Sequence, residues 1–353
     1  MKTLRRTIEG IKPVNMQLME EAQKRLNNLT KPKGSLGRLE ELAKKIVGIT
    51  DKRNPSLDKK AIFTIASDHG VTEEKVSLFP QKVTAQMVEN FLRGGAAINV
   101  IARAVGAKVV VVDMGIAGDL SDHPGLIIKK IGYGTENMAK GPAMSREKAI
   151  KSVEMGIDVL EEELETQGID IIGTGDMGIG NTTPSSAIIA CIAGSKVEDN
   201  TFVTTRVITK GVQSKIKVIK KALKINCPNA KDPLDVLAKI GGYEIGGLAG
   251  CILAAARHRI PVVIDGFIST ASALIATELA PLAKDYLIPA HRSAEKGHQI
   301  ALKYICQVPL LNLNMRLGEG TGAALGIALA DLSIKILTEM ATFEETGVSK
   351  EKD

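Results

Sequence analysis

The sequence predicts an α/β fold: a parallel sheet with helices on both faces, beside a small helical domain assembled from the two chain ends. Three observations predict it. From about residue 60, short β-rich runs alternate with helical stretches, the pattern of a sheet covered on both sides. Nearly every such run closes in a polar or glycine-containing turn. Apolar residues at helical spacing fill the first fifty residues and the last long run.

Taken in order, Met16, Met19, Ala22 and Leu26 predict one helix. After the KPKGS break, Leu36, Leu39, Leu42, Ile46 and Val47 predict another behind a Ser35 cap. DKRNPSLDKK reads as a solvated connector. Strands are expected at 61–67, 108–113, 169–175, 261–266 and 286–291. The turns that follow them read SDHG, DMG, GDMG, DGF and PAH. In an open parallel sheet these carboxyl ends share one edge, where ligands bind. Asp68, His69, Asp113, Asp176, Asp265 and His291 are therefore candidates for a single cleft. The final run GTGAALGIALADLSIKILTEM predicts a helix packing on the two N-terminal ones. Residues 1–55 with 321–353 are thus expected as the small helical domain, and 56–320 as the large α/β domain.

Composition narrows the function. With 353 residues, 44% hydrophobic and 24% charged, the chain has the make-up of a folded globular protein. Its net charge of +6 suits an anionic partner. Tryptophan is absent and aromatics are 3%, so stacking platforms for nucleic acid are not expected; a phosphorylated small molecule suits the charge equally well. The N-terminus lacks the apolar core of a secretion signal, and apolar runs fall far short of the roughly 20 residues that span a bilayer. A cytoplasmic protein with no membrane partner is the expectation. Cys191, Cys227, Cys251 and Cys306 are scattered without a CxxC pair, and are expected to be buried structural thiols.

GTGDMGIGNTTPSSA, residues 173–187, follows a strand and precedes a helical stretch. It is either a phosphate cradle, with N–H groups facing an anion, or a tight turn that needs glycine. It also matches GxGxxG, so an NAD(P)-dependent dehydrogenase is an alternative. The expected acid about 20 residues on, Asp199, lies in GSKVEDN rather than at a strand end. In TKGVQSKIKVIKKALK, Val212, Ile216, Ile219 and Leu223 share one helical face; Lys215, near the helix start, is the lysine able to reach a phosphate. Asp68, His69, Asp113 and Asp265 are possible metal donors, but no spacing resembles a dedicated site, and Asp at strand ends commonly orders its own turn. No metal and no cofactor are expected. His123, His258 and His298 are read as structural. In RLGEGTGAAL, Glu319 stands between two glycines, where first-turn acid and catalytic base remain open. A helix starting at Gly320 or Thr321 would lower its pKa, and burial would raise it.

Together, LTKPKGSLGRLEELA, SDHGVTEEKVSLFPQKVTAQM, GPAMSREKA, GTGDMGIGNTTP, KDPLDVLAKIGGYEIGGLAG, PVVIDGFISTASAL, LIPAHRSAEKG and MRLGEGTGAAL resemble the nicotinate-nucleotide-dimethylbenzimidazole phosphoribosyltransferase family over nearly the whole chain. The resemblance implies a Rossmann-like large domain, a dimer, and no nicotinamide redox cofactor. It implies transfer of ribose 5-phosphate from nicotinate mononucleotide to an aromatic base, with Glu319 as proton acceptor. The phosphate would be held by the turn carrying Gly178, Gly180, Asn181 and Thr182, helped by Lys215 and Ser293. Asp176 and Asp265 would contact the ribose or nicotinate surroundings, Phe79 and Met87 the acceptor base, and Leu317 is a further substrate-binding residue. Asp176 stands where the family commonly has Glu, and Glu244 where it has Asp. Phe79 and Met87 make the acceptor pocket more apolar, so the base is expected to be a benzimidazole, with a phenolic or purine base as alternatives. A heterodimer with a paralogue and a non-catalytic subunit of the same fold are the remaining alternatives.

Overall fold

The computed structural model describes residues 1–201 and 209–349. One sheet contains β1 (Lys60–Ser67), β2 (Ala107–Gly115), β3 (Leu126–Ile128), β4 (Ile171–Met177), β5 (Val262–Ile264) and β6 (Leu287–Pro289). The strands lie in the order β3-β2-β1-β4-β5-β6, every neighbouring pair parallel. The order reverses between β1 and β4, so the chain leaves these two strands in diverging directions and opens a crevice at their carboxyl ends. Five strands fall where the sequence places them. β3 is an addition, because its three residues are too few to display a period.

Strand alternation sorts the apolar residues into two cores. Phe63 and Ile65 of β1 join Val110, Val112 and Met114 of β2 under the helices Arg146–Gln167 and Tyr243–Arg257. These two helices touch backbone to backbone: a Cβ on Gly156 would sit 1.9 Å from the Gly247 carbonyl oxygen. On the other face, Ile62 and Ala66 of β1 and Val111 of β2 meet Ala323, Ala324, Ile327 and Ala330 of the helix Thr321–Glu339. The helices Met16–Asn28 and Arg38–Thr50 close over that helix through Leu26, Leu42 and Ile46. Arg25 donates to the Leu337 carbonyl at 2.6 Å, which satisfies a helix-end acceptor. The last helix therefore packs on the N-terminal pair as expected, and on the sheet as well.

Three local expectations are corrected. The helix Arg38–Thr50 begins behind Gly37 with no side-chain cap, so Ser35 does not cap it. The Glu40 carboxylate there takes the Leu36 N–H at 3.0 Å and the Lys31 ammonium at 2.7 Å, which fastens the chain just ahead of the helix without capping it. The helix Lys2–Gly10 is a further addition; its many charged residues mask its apolar face in the sequence. Of the four cysteines only Cys251 is buried, while Cys227 and Cys306 are exposed.

Candidate active site

β4 brings Asp176 to the crevice, and the chain then turns through Gly178 and Gly180 into the helix Thr182–Ile192. Glycine is required at Gly178 by space: a Cβ there would lie 2.3 Å from the Ser67 carbonyl oxygen. Gly180 adopts φ +91°, which L side chains rarely reach. The turn is one wall of a cleft of ≈ 250 Å³. Gly266, Phe267 and Ile268 after β5, His291, Ser293 and Glu295 after β6, and Arg316 to Gly318 supply the others.

Most of the residues picked from the sequence meet here. Asp176, Gly178, Gly180, Asn181, Thr182, Ser293, Phe79 and Leu317 all line the cleft. Phe79 and Leu317 stand at its mouth, 65% and 59% exposed, as apolar surfaces without a covering partner in a single chain. Lys215 is 5% exposed and donates to the Thr182 hydroxyl at 2.5 Å, so its ammonium is beside the glycine turn. Burial lowers its pKa to about 8, with Glu295 opposing. Met87 is not among the cleft-lining residues; it is half-buried on the helix Val83–Leu92 and packs into the core under Thr321–Glu339.

The other strand-end candidates serve the scaffold. Asp113 accepts from the Gly115 and Ile116 amides at 3.0 and 2.9 Å and pairs with Lys130 at 3.1 Å. Asp68 accepts from the Ala117 amide at 2.8 Å. His69 contacts Glu244 at 2.8 Å, both buried behind Gly178. With the donors so committed, no cluster of three His, Cys, Asp or Glu suited to a metal occurs among the described residues. Asp199 is exposed in the short helix Val197–Asn200 rather than at a strand end, so the dinucleotide fingerprint lacks its acid.

Glu319 follows the cleft-lining Gly318 in a run of three left-handed residues, with φ of 86°, 64° and 95° at Gly318, Glu319 and Gly320. A non-glycine residue in that region is strained and persists only where its surroundings fix it. Here the Thr64 hydroxyl donates to the Glu319 carbonyl at 3.0 Å. A Cβ on Gly175 would sit 2.4 Å from that carbonyl oxygen, so β4 must be bare at this point. The Glu319 carboxylate is 5% exposed and accepts from the Ile98 amide at 3.2 Å. That amide lies in the first turn of the helix Ala97–Val105. The helix dipole expected to steady Glu319 thus belongs to a different helix from the one that follows it. No sequence pattern announces this, because the partner is a backbone N–H 221 residues away.

Three carboxyl groups share the crevice, and their surroundings separate them. Asp176 is pushed well above the carboxylate range by burial and then by the charges of Asp265 and Glu244. Asp265 is raised to about 7 by burial, against amide bonds from the start of Thr321–Glu339; two of these measure 2.6 Å from Gly322 and 3.1 Å from Ala323. Its second oxygen has no partner. Glu319 is raised by burial and held down by Ile98. Burial thus raises all three, Asp176 well above the ordinary range and Asp265 to about 7, while only Glu319 has the Ile98 amide as its opposing influence. Glu319 is the group suited to take a proton.

Arg316, Glu295 and the Gly266–Ile268 wall join the site without having been singled out from the sequence. Arg316 was within reach, as a cation in the same loop as Glu319; the wall was not, since it offers only backbone and apolar side chains.

A phosphoribosyltransferase family model matches residues 11–348. The chain is 55% identical over 350 residues to the nicotinate-nucleotide–dimethylbenzimidazole phosphoribosyltransferase of Geobacter sulfurreducens, covering 99% of both chains. It is 56% identical to that of Desulforudis audaxviator over the whole of each. The chain belongs to the nicotinate-nucleotide–dimethylbenzimidazole phosphoribosyltransferase family. The crystal structure of the Thermus thermophilus phosphoribosyltransferase superposes with a TM-score of 0.90 at 41% identity, over 96% of this chain and 100% of that one. Membership of this phosphoribosyltransferase family agrees with a cleft that offers a glycine turn, a lysine and a carboxylate beside them.

Proposed function

We propose that this protein transfers the ribose 5-phosphate of nicotinate mononucleotide to an aromatic base, releasing nicotinate and forming an α-linked ribazole phosphate for cobamide synthesis. The observation that carries the proposal is the buried Glu319 carboxylate beside the cleft, bonded to the Ile98 amide and sharing the crevice with Asp176 and Asp265, whose pKa values burial raises.

The phosphate sits at the Gly178–Thr182 turn, where backbone N–H groups at a helix start favour an anion, with Lys215 and Ser293 completing its contacts. Asp176 and Asp265 face the ribose and the nicotinate. Nicotinate leaves as a neutral pyridine from a pyridinium, so its departure needs no general acid. The acceptor's ring nitrogen attacks C1′ from the opposite face, which inverts the anomeric centre. As that bond forms, the second ring nitrogen becomes acidic, and Glu319 takes its proton. The carboxylate also steadies the positive charge that develops on the ribose. Phe79 and Leu317 offer the acceptor an apolar entrance, which favours a benzimidazole over a more polar base. The active form is a homodimer in the cytoplasm, its oligomeric state checked by sedimentation of the purified protein.

Incubation with nicotinate mononucleotide and competing benzimidazole, phenolic and purine bases tests the proposal. Base-dependent nicotinate release, fastest with a benzimidazole, is expected. No release with any base would overturn the assignment, and a preference for phenols would overturn the choice of acceptor.

A further inference from the structure

His298 is fully buried outside the cleft, in the helix Lys296–Tyr304, and makes no contact that the proposed chemistry uses directly. Both its ring nitrogens are bonded. The Ser293 N–H donates to Nδ1 at 2.9 Å, so Nδ1 carries no proton and the proton must lie on Nε2. Nε2 lies 2.9 Å from the Thr270 hydroxyl oxygen, to which it donates. The Thr270 hydroxyl in turn donates to the Gly266 carbonyl at 2.7 Å. A single directed chain thus runs from Ser293 to Gly266. Ser293 and Gly266 both line the cleft, on the adjoining loops after β6 and β5, where a Cβ on Gly266 would lie 3.8 Å from the Ser293 Cβ.

We propose that His298 is a positioning residue that sets the spacing between these two cleft walls, and through it the geometry of the phosphate and ribose subsites. The proposal rests on the nucleotide assignment of the cleft. The ring does this as a neutral group: burial, and then the charge of His291, lower its pKa to about 3. The surroundings leave no slack for another arrangement. A Cβ at the neighbouring Gly297 would come within 2.8 Å of both the Asn200 carbonyl oxygen and the Phe267 ring. Ser293 also holds the Glu295 amide through its hydroxyl at 3.3 Å, so a displaced Ser293 carries Glu295, which faces Lys215, along with it.

The test compares His298→Leu, His298→Gln and Thr270→Val with the unaltered protein. Calorimetric affinity for nicotinate mononucleotide, kcat and KM for nicotinate release, and hydrogen exchange over residues 291–295 are measured. Losing the ring's bonds should raise Kd and KM about 10-fold in His298→Leu while kcat changes by less than about 3-fold. Exchange over 291–295 should quicken in parallel. Glutamine, with an amide oxygen and an N–H of its own, should restore both to within about 3-fold of the original. Thr270→Val, nearly isosteric, should shift both in the same direction and decides the matter if the leucine variant does not fold. Unchanged KM and exchange in the leucine or valine variant would overturn the proposal. A glutamine variant no better than leucine would overturn it too, since the effect would then be one of packing. If the unaltered protein fails to bind nicotinate mononucleotide, the nucleotide assignment falls, and the exchange comparison alone still decides whether His298 holds the two walls.

Discussion

Glu319, the proposed base, is held in place by three neighbours: the Ile98 amide, the Thr64 hydroxyl on its carbonyl and the bare Gly175 beneath it. Replacing it with glutamine keeps the shape and removes the base. Glu319→Gln is expected to lower kcat by about 10²- to 10⁴-fold, with calorimetric affinity for nicotinate mononucleotide retained; a fully active variant would remove the assignment. The pH profile follows from two groups. Glu319 works ionised, so kcat/KM should rise with pH through a value that burial places above the ordinary carboxylate range. Lys215 works protonated, so kcat/KM should fall as pH passes about 8. Lys215→Met should abolish the alkaline limb and leave the acid one. At this scale the placing of Glu319, Asp176 and Lys215 around one crevice was legible, because each stands beside a glycine turn or near a helix start. Ile98 and Gly266 were not, since they act through backbone atoms and carry no polar side chain to mark them.

At the crevice, the elements meet closely where β4 passes under the loop before Thr321–Glu339. Gly175 permits this approach, and a methyl group there would have to displace the Glu319 carbonyl. Gly175→Ala is expected to lower kcat about 10²-fold or more, because small displacements of a reacting group cost that much. Far-ultraviolet circular dichroism should remain that of the unaltered protein. An active Gly175→Ala enzyme would show that the loop can shift without harm. Strands and helices were readable from apolar period and terminal turns wherever the segment was long enough. β3 offered three residues and no period, and the helix Lys2–Gly10 hides Leu4 and Thr7, its buried residues, among charges. The Ser35 cap failed for another reason: the residue type was right for a cap, but the helix starts two residues later behind Gly37, which has no side chain to cap it.

For the molecule as a whole, the crevice is a place where folding stability is given up. Asp265 has a folded pKa of about 7 against an unfolded one of about 4. Below pH 4 it is neutral in both states and costs nothing. As pH rises from about 4 to about 7, the unfolded chain releases its proton first, and stability is lost across that window. Asparagine keeps an oxygen for the Gly322 and Ala323 amides and cannot ionise. Asp265→Asn is therefore expected to raise Tm relative to the unaltered protein at pH 8 and to leave it unchanged at pH 4, while weakening nicotinate mononucleotide binding. Equal Tm differences at both pH values would count against the raised pKa. The strand order, legible only in outline from the sequence, is what gathers these acids: reversal between β1 and β4 brings residues 176, 265 and 319 to one crevice.

Glu319 is tied to partners 221 and 255 positions earlier in the chain. Those ties cannot form until residue 319 has been synthesised and has emerged from the ribosome, and domains fold as units once their sequence is available. A chain cut short before residue 319 would lack both ties and the carboxylate they hold.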